Sequence, residues 1–281
     1  MMWLAEIEAH IGGMSELRDI VGAMRSLAAM RVQEAEHALC GIRRYAEMML
    51  AAIGAGLMLV PEPAAGTRPE RRRRALILCM SELGFVGGFN TRLADAAKAA
   101  IEADDQLLIL GSRGAALAIE HGLQIAWSSP IATRPRGAPE TVRCLADELY
   151  RRIAQSGISR VEAMFGRHSG GVPAVQRQLL LPLDLAAFAA NQRGQPPLHN
   201  LAPRVLLEKL TAEYVSARLT EAVVESIAAE NAARFAAMDS AHDNVAKKLA
   251  QLHRSAHLAR QDEITTELLD LVTGAEAQAS E

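Results

Sequence analysis

Residues 4–59 carry an apolar or small side chain at Ile7, Ile11, Met14, Leu17, Val21, Met24 and Ala28, and the spacing holds through Val32, Ala35, Leu39, Ile42, Ala46, Met49 and Ile53. The mean step is about 3.5 residues, the period of a left-handed coiled coil. No proline interrupts the stretch. As one helix it extends about 84 Å at 1.5 Å per residue, against an average globular helix of about 11 residues. An isolated helix that long has no core of its own to bury its seam, so the pattern demands a partner running alongside.

The partner is found at the other end of the chain, where no proline follows Pro203. Leu207, Leu210, Tyr214, Ala217, Val224, Ala228, Phe235, Met238, Val245, Leu249, Leu252, Ala256 and Ala259 hold a similar repeat, with polar Glu221, Asn231 and His242 at seam positions. Polar seam members weaken a pure coiled coil, so this helix is expected to change neighbours along its length. Two such helices at opposite chain ends predict an antiparallel pair.

Between them the pattern becomes short apolar runs separated by turns. Ala75–Met80, Gln106–Leu110 and Gln124–Trp127 read as buried strands, and Asn90–Ala103, Ser112–His121 and Pro139–Gln155 as the helices between them. This alternation predicts a parallel sheet covered on both faces. Arg160–Arg167 and Ala174–Leu181 add two strands, with a hairpin expected through Ser169–Gly171, and a Pro/Gly-rich link, Asn191–Pro203, returns to the last helix. The fold class expected is α/β: a long antiparallel coiled coil of the N- and C-terminal helices with a central Rossmann-like domain. Its parts are residues 1–60, 71–190 and 203–281.

Composition narrows the function. Half of the residues are hydrophobic but only 4% are aromatic, which favours long helix-to-helix contacts over ring-filled pockets. Net charge is -3, with both helical ends acidic and the middle basic, mostly from Arg68 and Arg71–Arg74. Neither helix is the basic stripe of a nucleic-acid binder, and the arginine run reads as a solvated domain boundary. Cys40, Cys79 and Cys144 are odd in number and without a C-x-x-C pair, which argues against a disulfide framework or a zinc site. Residues 1–6 lack the basic start of a signal peptide, and the longest uncharged apolar stretch, Met48–Val60, is shorter than the roughly 20 residues that span a bilayer. The chain is expected to be soluble, or peripheral to a membrane through partners.

Local motifs supply little catalytic chemistry. Leu83–Asn90 follows the first strand and opens a helix, where glycine-rich loops cradle phosphate. It contains neither G-x-G-x-x-G nor a P-loop lysine, and reads as a tight strand-to-helix turn. His253 and His257 are spaced i, i+4, but without the glutamate of H-E-x-x-H they read as solvated helix surface. No cofactor or metal is expected. A second reading stays open, a nucleotide- or phosphate-binding α/β enzyme domain flanked by dimerising helices.

The end of the chain, Ile264–Ala275 preceded by Ala259-Arg260-Gln261, resembles the C-terminal signature of ATP synthase gamma subunits. The resemblance extends through Ala232–Met238, Asp243-Asn244, Ala23-Met24, Arg44–Glu47 and the Gly87–Asn90 loop, nearly the whole chain. It implies a non-catalytic rotor subunit: the terminal helices form a shaft inside a ring of alpha and beta subunits, and the central domain meets the epsilon subunit and the membrane c-ring. The shaft would couple proton or sodium translocation to ATP synthesis or hydrolysis, with no nucleic acid bound and no direct membrane span. The implied location is the cytoplasmic face of a bacterial inner membrane. Carried over by motif, the coupling residues are Met24, Arg234, Gln261 and Thr265. The chain departs from the family pattern at Gly22, where a lysine is usual, at Glu82–Gly88, which replaces Asp-Arg-Gly-Leu-Cys-Gly-Gly, and at Met30-Arg31-Val32. These departures leave open a housekeeping subunit or a divergent N-type second copy.

Overall fold

The computed structural model describes residues 2–60, 73–168, 170, 173–183 and 197–279. Arg68, Arg71, Arg72, Ser169, Gly171 and residues 191–196 of the link to the last helix lie outside the described residues. Two helices dominate, α1 (Met2–Leu57) and, at the other chain end, α5 (Pro203–Ala279). Between them come β1 (Arg73–Cys79), α2 (Phe89–Ala100), β2 (Gln106–Leu110), α3 (Ser112–Glu120), β3 (Trp127–Ser129), α4 (Ala138–Ser156), β4 (Ile158–Arg167) and β5 (Ala174–Leu181). The chain divides into two compact units, Met1–Leu27 with Phe235–Glu281, and Ala28–Arg234.

In the first unit the two helices run antiparallel. Ile7 packs with Ala256 and Ala259, and Leu4, Ile11 and Leu252 complete the cluster. Arg260 donates to Glu8 at 2.6 Å and Arg25 to Asp239 at 2.9 Å, so position numbers fall along α5 as they rise along α1. These ion pairs are solvent-exposed or half-buried, so they set register more than they stabilise. His253 and His257 line a shallow recess here with Glu8 and Arg260, whose cation opposes a bound metal ion.

The second unit contains a five-stranded sheet in the order β3-β2-β1-β4-β5. Strands β1 to β4 are parallel and β5 pairs antiparallel with β4, from Arg167↔Ala174 to Val161↔Leu181, which is the expected hairpin. Ala75–Cys79 of β1 and Leu107–Leu110 of β2 read as unbroken apolar runs because both faces of the sheet are covered there. Ala75, Ile77 and Cys79 of β1 face α4, α1 and α5, whereas Leu76, Leu78 and Met80 face α2 and α3. The third strand is a correction: it occupies Trp127–Ser129, not Gln124–Trp127, and is half-exposed rather than buried. Gly122 turns the chain at φ 78° and Ala126 N–H reaches Leu107 O, so pairing in register with Leu108–Leu110 begins only at Trp127. Helix α4 stops where Gly157 takes the left-handed conformation at φ 64° and donates to Ile153 O.

The arginine run is also more than a solvated boundary. Arg74 is buried, ion-paired with Asp105 and Glu162, and Glu162 receives further bonds from Arg160 at 2.7 Å and Arg177 at 2.6 Å. Here too α1 and α5 are antiparallel: Arg43 pairs with Glu221 and Glu225, and Tyr45 donates to Glu213. The three thiols differ, because burial pushes Cys79 up to about 12 while Cys40 and Cys144 are exposed. Alkylation of the native chain at pH 8, read by mass spectrometry, is expected to label two cysteines rapidly and Cys79 only after unfolding.

Candidate functional site

In open α/β sheets ligands lodge outside the carboxyl ends of the strands, where the strand order reverses. Here the order reverses at β1, which has β2 on one side and β4 on the other. That crevice is filled by α5. Residues 221–231 of this helix are buried all round, as a helix must be when it runs through a core rather than along its edge. Ala222, Val223, Val224, Ile227 and Ala228 belong to the core on one sheet face, and Ala229 and Ala233 to the core on the other. The helix therefore crosses over the strand ends from one face to the other.

Three contacts fasten it there. Ser226 Oγ donates to Cys79 O at 2.9 Å, using a carbonyl at the end of β1. At the end of β4, Gly166 lets the helix and α2 come close: a β-carbon at this position would lie 2.9 Å from Ala229 Cβ and would overlap the Phe89 ring. Farther along α5, Arg234 donates to Gly84 O through Nε at 3.3 Å and Nη2 at 3.2 Å. The small residues Ser226, Ala229 and Ala233 allow the close approach, and the bonds satisfy buried polar groups that would otherwise be costly.

The neighbouring loop is also occupied by the chain's own groups. Asn90 accepts from Ser81 N–H at 3.0 Å and donates to Ser81 Oγ at 2.7 Å. At the start of α3, the Glu82 carboxylate accepts from Ser112 N, Ser112 Oγ and Ile131 N at 2.7–3.0 Å. A phosphate would need those same donors and would meet a fixed negative charge. Burial pushes the Glu82 carboxyl up, but the three donated bonds outweigh it and hold the group below the usual carboxylate range. A depressed folded-state pKa contributes stability above the unfolded value that is lost as pH falls through the folded value. Glu82→Gln is therefore expected to flatten the loss of stability on acidification below about pH 4.5, measured by urea unfolding at a series of pH values.

The four residues named from the sequence fall in different settings. Met24 is half-buried on α1 in the first unit. Gln261 and Thr265 share an exposed face of α5, one turn apart, with Thr265 Oγ1 donating to Gln261 O at 2.8 Å. That bond leaves the hydroxyl oxygen and the whole Gln261 amide available. Arg234 is in the second unit and is buried, its guanidinium bonded to Glu230 at 2.6 Å, Asn231 at 3.0 Å and Gly84 O. Burial pushes the Glu230 carboxyl up, against the attraction of Arg234. Sequence reasoning missed Ser226, Gly166 and Glu230 as site residues. The available signal was the run Ala222–Ala233, too apolar and too small for an exposed helix.

Among the described residues no helix is long and apolar enough to cross a membrane, and no group of three or more His, Cys, Asp or Glu is placed to hold a metal ion. Comparison with known proteins agrees with the architecture. A family model described as ATP synthase matches residues 3–278. The ATP synthase gamma chain of Chlorobaculum tepidum is 27% identical over 99% of this chain and 99% of its own length. That of Frankia casuarinae is 30% identical over 99% of this chain and 98% of its own. Among solved structures, a chain of the Euglena gracilis mitochondrial ATP synthase rotor superposes with a TM-score of 0.61 at 12% identity, covering 93% of this chain and 98% of that one. A chain of the Tetrahymena thermophila central stalk and c-ring gives 0.57 at 18% identity, covering 79% and 99%. A match along almost the full length, to relatives of the same extent and to a fold of two long helices on a five-stranded sheet, places the chain in the ATP synthase gamma chain family.

Proposed function

We propose that this chain is the rotating central stalk of an F-type ATP synthase, coupling proton or sodium translocation through the membrane c-ring to ATP synthesis or hydrolysis at the alpha and beta subunits. It catalyses nothing by itself. The observation that carries this reading is the crevice at the strand ends: it holds α5, so the sheet anchors a helix rather than a substrate. The alternative, a nucleotide- or phosphate-binding enzyme domain, needs that crevice and the donors taken by Glu82. Residues 1–60 and 203–281 serve as the shaft and 71–190 as its foot, which meets the epsilon subunit and the c-ring. As part of that complex the subunit is peripheral, on the cytoplasmic face of a bacterial inner membrane.

Coupling follows from differential contact: an asymmetric shaft favours a different state of each catalytic site as it turns, and it biases them only by as much as its contacts differ between states. Met24, Gln261 and Thr265 are proposed to make such contacts and Arg234 to support them. Neutral amide and hydroxyl groups suit the task, since they bond a passing partner without the desolvation cost of a full charge. The test assembles Gln261→Ala/Thr265→Ala with its partner subunits in membrane vesicles. Gradient-driven synthesis is expected to fall about tenfold, from two bonds of roughly 0.5–1.5 kcal/mol each made in one rotary state. Subunit stoichiometry is expected to stay normal, because alanine keeps the helix. ATP turnover by the rigorously purified lone chain would overturn the reading as a whole.

A further inference from the structure

The bend between β1 and α2 displays two apolar side chains. Leu83 is 50% and Phe85 69% exposed, and Phe85 adopts φ 61°, a left-handed conformation that a bulky residue takes only under constraint. The constraint is visible in the bonds. Glu82 pins the entry through Ser112 and Ile131, while Val86 is buried and its carbonyl accepts from Phe89 N–H at 3.2 Å, closing the exit. The middle of the bend, the Gly84 carbonyl, is held by the Arg234 guanidinium, which is fixed in turn by Glu230 and Asn231.

We propose that Arg234 is a positioning residue: it holds the Gly84–Phe85 peptide so that the Phe85 ring stays displayed, and its effect on coupling passes through that bend rather than through direct contact with a partner. The inference rests on the central-stalk reading for its functional part only. Arg234 itself is 6% exposed, with its donors committed inside the chain, and offers little surface to a partner. Phe85, one residue beyond the carbonyl it grips, offers most of a ring. A left-handed backbone at an exposed aromatic is a strain that the surroundings must hold, and here the holder lies on the helix proposed as the shaft.

The test uses Arg234→Lys, Phe85→Ala and the double variant. A lysine ammonium keeps the charge opposite Glu230 but lacks the fork that also reaches Gly84 O. In the full chain, hydrogen exchange at the amides of residues 84–86 is expected to speed about tenfold in Arg234→Lys, with α5 protection unchanged. Unaltered exchange overturns the proposal whatever the chain does in the complex. In vesicles containing the assembled complex, Arg234→Lys and Phe85→Ala are each expected to lower gradient-driven synthesis, and the double variant to fall no further than the stronger single. Multiplying losses would mean that Arg234 acts apart from the bend, and would overturn the proposal. Should Arg234→Lys not fold, Phe85→Gly relieves the left-handed strain while deleting the ring, and unchanged synthesis in that variant overturns it. A wild-type complex that shows no coupling at all refutes the central-stalk reading instead, leaving the exchange result to decide what Arg234 holds.

Discussion

Gly166→Val is expected to destabilise the second unit by about 3 kcal/mol, with the loss concentrated where α5 crosses the strand ends. The side chain would enter a space already taken by the Phe89 ring and the Ala229 methyl, both fully buried or nearly so, at the meeting of β4, α2 and α5. Overpacking is relieved by moving something. Phe89 cannot turn away into solvent, because it belongs to the core that includes Leu93 and Met164. Helix α5 can lift, but only by stretching the Ser226 bond to Cys79 O. Urea unfolding followed by Trp127 fluorescence measures the cost, and hydrogen exchange locates it. Protection lost at residues 222–233 is the expected pattern. A midpoint unchanged from the parent chain would show that the close approach at Gly166 does not matter.

The second large effect is expected at Glu162. This carboxylate is 2% exposed and receives Arg160, Arg177 and Arg74, with Arg74 also buried. Replacing it with alanine leaves three guanidiniums around a hole, with only Asp105 as their remaining acidic partner among these groups. Removing one member of a buried charge pair costs about 3–5 kcal/mol when its partner stays desolvated. Here that holds for Arg74 alone, since the Arg160 and Arg177 side chains are 39% and 43% exposed, so the expected loss lies at the low end, about 3 kcal/mol. Burial pushes the Glu162 carboxyl up, but the arginine bonds prevail and hold it below its ordinary value. Its contribution is therefore present above the unfolded carboxylate pKa and lost as pH falls through the lower, folded value. Glu162→Ala is expected to unfold at lower urea at neutral pH, while its deficit shrinks on acidification. A deficit independent of pH would assign the loss to packing instead of charge.

Both predictions concern features that were hard to read in advance. The long helices were legible because a 3.5-residue apolar period is a local signal, written out in Ile7 to Ile53 without reference to anything distant. The strands were legible for a similar reason, since Ala75–Met80 is apolar at every position only if both sheet faces are covered. Charged residues misled where their partners lie far away in sequence. Arg74 looked like a boundary residue because Glu162, 88 positions on, is invisible to a local reading. Glu225 and Glu230 give no local sign of burial in the sequence, yet, like Glu221 at its seam position, each is buried against a cation. The third strand slipped by three residues because the Gln124–Trp127 pattern cannot reveal where pairing with β2 begins. The proposed coupling residues are the extreme case. Met24, Gln261 and Thr265 carry no distinguishing physics in the isolated chain, and only resemblance to a family singled them out. Arg234 was named in the same way, but its bond to Gly84 gives it a structural meaning that no sequence spacing could supply.

The pairing of residues 2–27 with residues 235–279 has a consequence for synthesis on the ribosome. The first segment leaves the exit tunnel long before its partner is translated. At roughly 5–20 residues per second the interval is on the order of ten to forty seconds. Throughout that time a helix with exposed Leu17, Ile20 and Leu27 also lacks the neighbour that covers Ile7. The Ala28–Arg234 unit is fully translated earlier and can close first. Its closure shortens the effective loop between the waiting segment and its late partner, reducing an entropic cost that grows with the logarithm of loop length. The order of folding is thus built into the order of translation: the Ala28–Arg234 unit first, and the pairing of residues 2–27 with 235–279 last.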